Sequence, residues 1–421
     1  MNRKPFFPSV SVGLVLAGLF VQSVAFGAST SKPPKPTEAK EIFDLNKVKR
    51  LDEVLKAAVA SEQLPSAVCY VSFLGEPIYY KAFGEAVRED KGRSLSKDAI
   101  FRIGSQTKLV TTVALMKLYE EGLINLEDPI KKYLPEFANP VVRVSGSMAT
   151  KNLVTRPAKG DITIRQLLCH TSGITYDKSG QDLEEIRYGY PISSAEVVAR
   201  IAKMPLKSDP GTAYAYGWSV DVAGRLAEVV SGMRLDSLIK RTVLDPLEMT
   251  DTYFYLPKTA VKRLVSVYSK TDKESAVALA DSLDRNYPLD PAPSYFGGGA
   301  GLCSTAEDYA HLCQMILNGG VYKGKRFMHK KVVDMITADQ LFGVGGNYQF
   351  GLGMEIGTKE MFARTMRTVG SLSAEGEYGT HFLMDPKYKL VIQLYTNETN
   401  WPSDRNVWSD VLRVIYTSTL K

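Results

Sequence analysis

Cysteine is scarce in this chain of 421 residues: Cys69, Cys169, Cys303 and Cys313 are the only four, and no two form a C-x-x-C pair. Neither a zinc knuckle nor a disulfide-dense scaffold is therefore encoded. Their apolar or helical surroundings read as buried thiols, with a Cys303 to Cys313 disulfide left open for an oxidising compartment. Basic residues are scattered rather than clustered with aromatics, so a phosphate-tracking surface for nucleic acid is excluded. No G-K-[ST] follows the glycines at 297–301, which removes the phosphate-loop reading. The G-x-S-x-G elbow of the usual α/β-hydrolases is missing too. No metal site and no organic cofactor is implied.

The first residues hold a shorter apolar run than a membrane span needs, which is about 20 residues. Arg3 and Lys4 precede Val10 to Val21, and the small-residue stretch from Ser23 to Ala28 follows. This is the pattern of a secretory leader over 1–27, with cleavage after Ala25 or Gly27. The expected location is periplasmic or secreted, with no membrane span after cleavage. Loss of Arg3 and Lys4 takes the formal charge from +6 to +4. Residues 28–40 are polar and proline-rich and read as an extended tether. The remainder, 41–421, has ordinary globular composition, 44% hydrophobic and 23% charged over the whole chain.

Within that body, apolar residues at Val48, Leu51, Val54, Leu55 and Val59 predict a helix over 44–61. Ala67 to Phe73 and Pro77 to Phe83 read as a hairpin around Leu74-Gly75-Glu76. From Ser105 to about Pro291 the pattern is mostly helical. Strand patterns return at Tyr348 to Ile356, His381 to Met384 and Lys389 to Tyr395, and an amphipathic helix over 403–420 closes the chain. The expected architecture is α/β of the α+β kind: an antiparallel sheet built from both chain ends, flanked by helices, with a helical region over about 105–291 inserted.

A serine hydrolase without the elbow needs another base, and S-x-x-K supplies one. It occurs at Ser29, Ser94, Ser105, Ser237 and Ser418, so the motif alone decides nothing. Context singles out Ser105, which follows Phe101-Arg102-Ile103-Gly104 and opens a long helical run ending near Gly122. Residues three apart share a helix face, so the Lys108 amine can lie against the Ser105 hydroxyl. Burial and a helix N-terminus both disfavour a cation, so Lys108 is expected to be neutral and able to accept a proton. The alternative is a capping serine followed by a solvated lysine.

The run from Phe101 to Lys108, then Leu118 to Pro129 and Tyr133-Leu134-Pro135, resembles the beta-lactamase-related serine hydrolases. That family comprises class C beta-lactamases, D-alanyl-D-alanine carboxypeptidases and beta-lactamase-fold esterases. Thr163 to Ile174, Pro210 to Tyr216 and Gly297 to Asp308 resemble it in the same order. The resemblance implies a beta-lactamase/transpeptidase-like fold, Ser105 as nucleophile, Lys108 as base and Tyr216 as the tyrosine of Y-x-N; Tyr214 is a near rival. It also implies substrate contacts at Gln166 and Trp218. His170 belongs to a structural turn in that family. His381, in a strand pattern, reads as cross-strand packing.

Two departures bear on substrate. Y-x-N appears as Tyr216-Gly217-Trp218, and the Lys-Thr-Gly element of the strand beside the serine appears as Ala374-Glu375-Gly376, or a few residues earlier as Ser371-Leu372-Ser373. Glu375 and Gly376 are then the substrate and oxyanion strand. Without a lysine there, carboxylate-bearing substrates lose their partner. The implied function is an exported serine hydrolase cleaving a small-molecule ester or amide through a Ser105 acyl-enzyme, esterase-like rather than beta-lactamase. The alternatives are a penicillin-binding DD-peptidase or weak beta-lactamase acting on cell-wall peptide, and a non-catalytic protein binding a cell-wall or lipid ligand on the same fold.

Overall fold

A computed structural model describes residues 39, 42–87, 93–146, 151–176, 192–270, 277–279, 287–289, 295–399 and 404–419. The expected leader and tether, Ala39 excepted, lie outside the described residues.

The early hairpin is β1 (Ser66–Phe73) and β2 (Glu76–Gly84). Leu74 and Gly75, at φ of 53° and 91°, form the two-residue turn whose left-handed geometry matches the twist of paired strands. The late strands are β3 (Gln349–Phe350), β4 (Glu355–Ile356), β5 (Leu372–Gly376), β6 (Thr380–Asp385) and β7 (Leu390–Tyr395). β7 pairs with β1, so the sheet runs β3-β4-β5-β6-β7-β1-β2, antiparallel throughout. The single strand expected from Tyr348 to Ile356 is instead two. Gly353 has φ of 82°, and a β-carbon on Gly351 would come within 2.4 Å of the Ile336 carbonyl, so the chain turns there.

Strand alternation separates two cores. From β1, Ala67, Cys69, Val71 and Phe73 face one side with Leu383, Ile392 and Leu394. They meet the terminal helices α1 (Leu51–Ala60), through Leu51 and Leu55, and α5 (Asp404–Thr417), through Trp408, Val411 and Ile415. The helix expected over 44–61 is broken at Lys49 and Arg50 into Leu45–Val48 and α1. Val68, Tyr70, Phe382, Met384, Val391 and Tyr395 face the other side. There lie α2 (Thr107–Glu120), α3 (Ser219–Ser231) and α4 (Ala306–Leu317).

α2 is buried nearly all round, from Thr107 through Met116, as befits a helix running through a core. The inserted region also holds β elements that helical periodicity did not predict, such as the pair Val141–Ser145 and Val154–Pro157. All four cysteines are free and buried, and no Cys303 to Cys313 disulfide forms. No helix among the described residues is long and apolar enough to cross a membrane.

Candidate active site

Ser105 sits in a 3-10 turn, Gly104–Gln106, that leads into α2. Three anchors hold this turn. Phe101–Arg102 pairs with Cys303–Ser304, and the Ile103 N–H donates to the Leu302 carbonyl at 3.0 Å, which carries the glycine loop 297–301 up to the nucleophile. The Tyr309 hydroxyl donates to the Gln106 carbonyl at 3.0 Å, and the Tyr395 hydroxyl donates to its side-chain oxygen at 2.7 Å. The end of β5 closes the third side. Gly104 has φ of 48°, and a β-carbon there would lie 2.8 Å from the Glu377 amide nitrogen; one on Gly376 would lie 2.3 Å from the Ile103 carbonyl. Glycine at both positions lets two backbones touch where a side chain would separate them.

The capping alternative fails: no side chain caps the start of the turn or of α2, and the Ser105 hydroxyl instead accepts from Lys108 Nζ at 3.1 Å. Lys108 is 2% exposed. Its amine also donates to the Gly299 carbonyl at 2.7 Å and the Tyr176 hydroxyl at 3.2 Å, so three protons meet three acceptors. This corrects the expected neutral lysine. Burial does oppose the charge, but the Tyr176 and Tyr216 phenols and the Asp221 carboxylate outweigh it and hold Lys108 above the usual lysine range. The site therefore favours the ammonium form.

Tyr216 presents its ring to that ammonium, with the centroid 4.8 Å from Nζ, and is 37% exposed. Tyr214 points elsewhere, packing on Tyr348 and Phe350 with centroids 5.0 and 5.5 Å away. Tyr176 was not singled out from sequence. Its position follows from the His170-Thr171-Ser172-Gly173 turn folding against the segment before α3. The Ala215 N–H donates to the His170 carbonyl at 2.8 Å, the Ser172 and Ser219 hydroxyls meet at 2.8 Å, and a β-carbon on Gly217 would strike Thr175 at 2.3 Å. That contact sets Tyr176 edge-on to Trp218 at 4.9 Å and to Tyr216 at 5.6 Å. The signal available in sequence was a tyrosine just past a motif turn.

His170 has φ of 58°, is fully buried under Tyr216 at 4.5 Å, and desolvation, then the Lys108 charge, keeps its pKa well below the usual histidine value. His381 stacks on Trp408 at 5.2 Å, the packing role read from its strand.

The remaining site residues divide. Trp218 is buried and lines a small open pocket with Tyr176, Asp221, Tyr287, Tyr295 and Ala300, beside the Lys108 cluster. Gln166 lies apart from this pocket, in a helix cap. Its side-chain oxygen accepts from the Thr163 N–H at 3.0 Å and its own N–H donates to the Thr163 hydroxyl, a reciprocal cap on helix Ile164–Leu168, with its amide nitrogen against Gly211. Glu375 is also corrected. It pairs across the strands with His381, at 3.8 Å, on the terminal-helix side of the sheet. Ala374 faces the nucleophile side instead, packed on that core. Ser371-Leu372-Ser373 lies at the far end of β5, where Ser373 bonds Arg367 and Glu355. Among the described residues no cluster of His, Cys, Asp and Glu could hold a metal ion.

An antiparallel sheet between helical layers, with a buried lysine bonded to a serine at the head of the central helix, defines a beta-lactamase-fold protein. The sequence model of the Beta-lactamase family matches residues 51–416, and the chain belongs to that family of serine hydrolases and acyltransferases. Among curated relatives, esterase EstB of Burkholderia gladioli is 28% identical, with 83% of this chain and 90% of the relative covered. The ML-236A carboxylate methylbutanoyltransferase mlcH of Penicillium citrinum is 27% identical, covering 81% and 87%. Among solved structures, EstCE1, a hydrolase with promiscuous acyltransferase activity, superposes with a TM-score of 0.75 at 24% identity, over 88% of this chain and 99% of that one.

Proposed function

We propose that the protein is an exported serine esterase or acyltransferase acting on uncharged small-molecule esters through an acyl-enzyme on Ser105. The observation that carries this reading is the Ser105 hydroxyl held 3.1 Å from a buried lysine amine at the head of a buried helix. In the fraction of enzyme whose Lys108 ammonium or neighbouring phenol has released a proton to solvent, Ser105 Oγ attacks the ester carbonyl and its proton passes to that vacated position in the Lys108, Tyr176 and Tyr216 cluster. Tyr216, the more open phenol, returns a proton to the departing alkoxide. Water, or a second alcohol, then takes the acyl group. The Ser105 N–H, unpaired within its helix because it opens the first turn, and the Glu377 N–H beside it are the oxyanion donors.

Ala374 on the site face offers a carboxylate nothing to pair with, which favours neutral acyl groups over penicillins and peptide termini. The names of the relatives, an esterase and a methylbutanoyltransferase, agree with acyl transfer on small-molecule esters. Export rests on the leader pattern, and a mature N-terminus at residue 26 or 28, read by intact mass, is the expected result.

The test is turnover of a neutral p-nitrophenyl ester and labelling by a fluorophosphonate. Both are expected of the wild type and of neither Ser105→Ala nor the heat-denatured protein. Turnover by Ser105→Ala at the wild-type rate would sink the assignment. A folded wild type inert to both reagents would favour a binding protein. A stable penicilloyl adduct would favour the DD-peptidase reading.

A further inference from the structure

Asp221, on the first turn of α3, is 6% exposed, and neither the nucleophile nor the proton relay described above touches it. Its Oδ1 accepts from the Tyr295 hydroxyl at 2.7 Å and from the Gly299 N–H at 3.1 Å. Its Oδ2 has no hydrogen-bond partner among the described residues and lies against the Gly299 α-carbon, where a β-carbon would come within 2.2 Å. The carbonyl of that same glycine accepts from Lys108 Nζ at 2.7 Å. One residue, packed closely against Asp221, thus stands between a buried carboxylate and a buried ammonium. Each charge would be costly alone in this setting, and a half-satisfied carboxylate is tolerable because the cation compensates it.

We propose that Asp221 is the counter-charge that fixes the proton inventory of the Ser105 site, a positioning residue that acts through Gly299 and the field on Lys108 and never on substrate. This rests on the Ser105 acyl-enzyme reading. The groups facing the Lys108 amine are Tyr176, Tyr216, Asp221 and the Gly299 carbonyl, with neutral His170 behind Tyr216. Those facing Asp221 are Tyr295 and the Lys108 charge, with Tyr176 and Tyr287 in the same pocket wall.

The sign does not depend on which group accepts the serine proton. A nearby anion stabilises the protonated form of Lys108, and it equally opposes ionisation of either phenol. Its removal lowers the pKa of the acceptor in both cases. The acidic limb of kcat/KM therefore moves to lower pH when the carboxylate is neutralised.

The experiment records kcat/KM for a neutral p-nitrophenyl ester between about pH 5 and pH 10 for the wild type, Asp221→Asn, Tyr295→Phe and Ser105→Ala. Asp221→Asn retains an acceptor for the Gly299 N–H, and its acidic limb is expected to fall by on the order of one pH unit or more. Tyr295→Phe removes a donor from Oδ1, leaves the carboxylate less neutralised, and is expected to move the limb up by roughly a few tenths of a pH unit. A folded Asp221→Asn whose rate falls uniformly with the limb in place marks a merely structural aspartate and overturns the proposal. Should that variant not fold, Tyr295→Phe decides, and a limb unmoved or shifted downward overturns it. If Ser105→Ala is inactive and the other profiles superimpose on the wild type, Asp221 alone is misassigned. If Ser105→Ala turns over, both readings fall.

Discussion

On the side of the sheet that carries the terminal helices, Leu51, Leu55, Val411 and Ile415 close on Ile392 and Leu394, with Trp408 stacked on His381. On the other side, inside a larger apolar frame, Lys108, Asp221, His170 and Gln106 are buried as well. The first side is stabilised by removing apolar surface from water, about 1.5–3 kcal/mol for each large side chain. The second carries groups whose desolvation opposes folding and which persist through mutual compensation. A β-strand one residue thick serves both, because successive side chains point to opposite faces. Stability and chemistry are thereby assigned to separate halves of one element.

If that division holds, variants on the two faces should fail in different measurements. The largest expected effect is on the nucleophile side. Ser105→Ala should lower kcat/KM by roughly 10³-fold or more while the folded fraction stays near that of the wild type, since one hydroxyl is removed and the buried Lys108 and Asp221 charges keep one another. Unfolding in urea at matched pH, run beside the kinetics, checks both halves of that statement. Leu55→Ala in α1 should do the reverse, costing about 2–5 kcal/mol of unfolding free energy with kcat per folded molecule unchanged. A kinetic defect in the folded Leu55→Ala protein would show that the two faces are coupled.

A smaller effect comes from His170. Its imidazole is buried and neutral, while the unfolded chain binds a proton below about pH 6.5. The folded pKa is depressed, so the stability it confers is complete above that pH and is lost as the pH falls. His170→Asn, which tolerates the left-handed backbone, should reduce the slope of unfolding free energy below about pH 6.5 by up to about 1.4 kcal/mol per pH unit. Parallel wild-type and variant curves would show that His170 is not the group responsible. Tyr214→Phe should have the least effect on kcat/KM, within about twofold, because that phenol packs on Tyr348 and Phe350 away from Lys108.

Much of the first-order geometry was legible in the residues. The Ser105 and Lys108 spacing, the apolar run behind it and strand patterns at both chain ends were enough to place a nucleophile at the head of a core helix beside a sheet closed by the two termini. What was not legible depended on partners remote in sequence. The charge on Lys108 was expected to be lost to burial, but the Tyr176 and Tyr216 phenols and a carboxylate on another helix favour it. Tyr176 reaches the amine only because Gly217 lets two loops touch. Glu375 and Ala374 are neighbours in sequence on opposite faces of β5, and only the pairing with β6 tells which of them greets a substrate. Gln166 carries the T-x-x-Q signature of a reciprocal helix cap, and weighing that local pattern first would have kept it out of the pocket.

The pairing of β7 with β1, together with the Tyr395 hydroxyl on Gln106, has a consequence for the life of the chain. The strand that completes the sheet and steadies the nucleophile's turn leaves the ribosome long after Ser105 and Lys108 do. A nascent chain bearing Ser105 and Lys108 lacks the frame that aligns them until β7 has emerged, so the nucleophile's turn is held in place only once that strand has paired with β1.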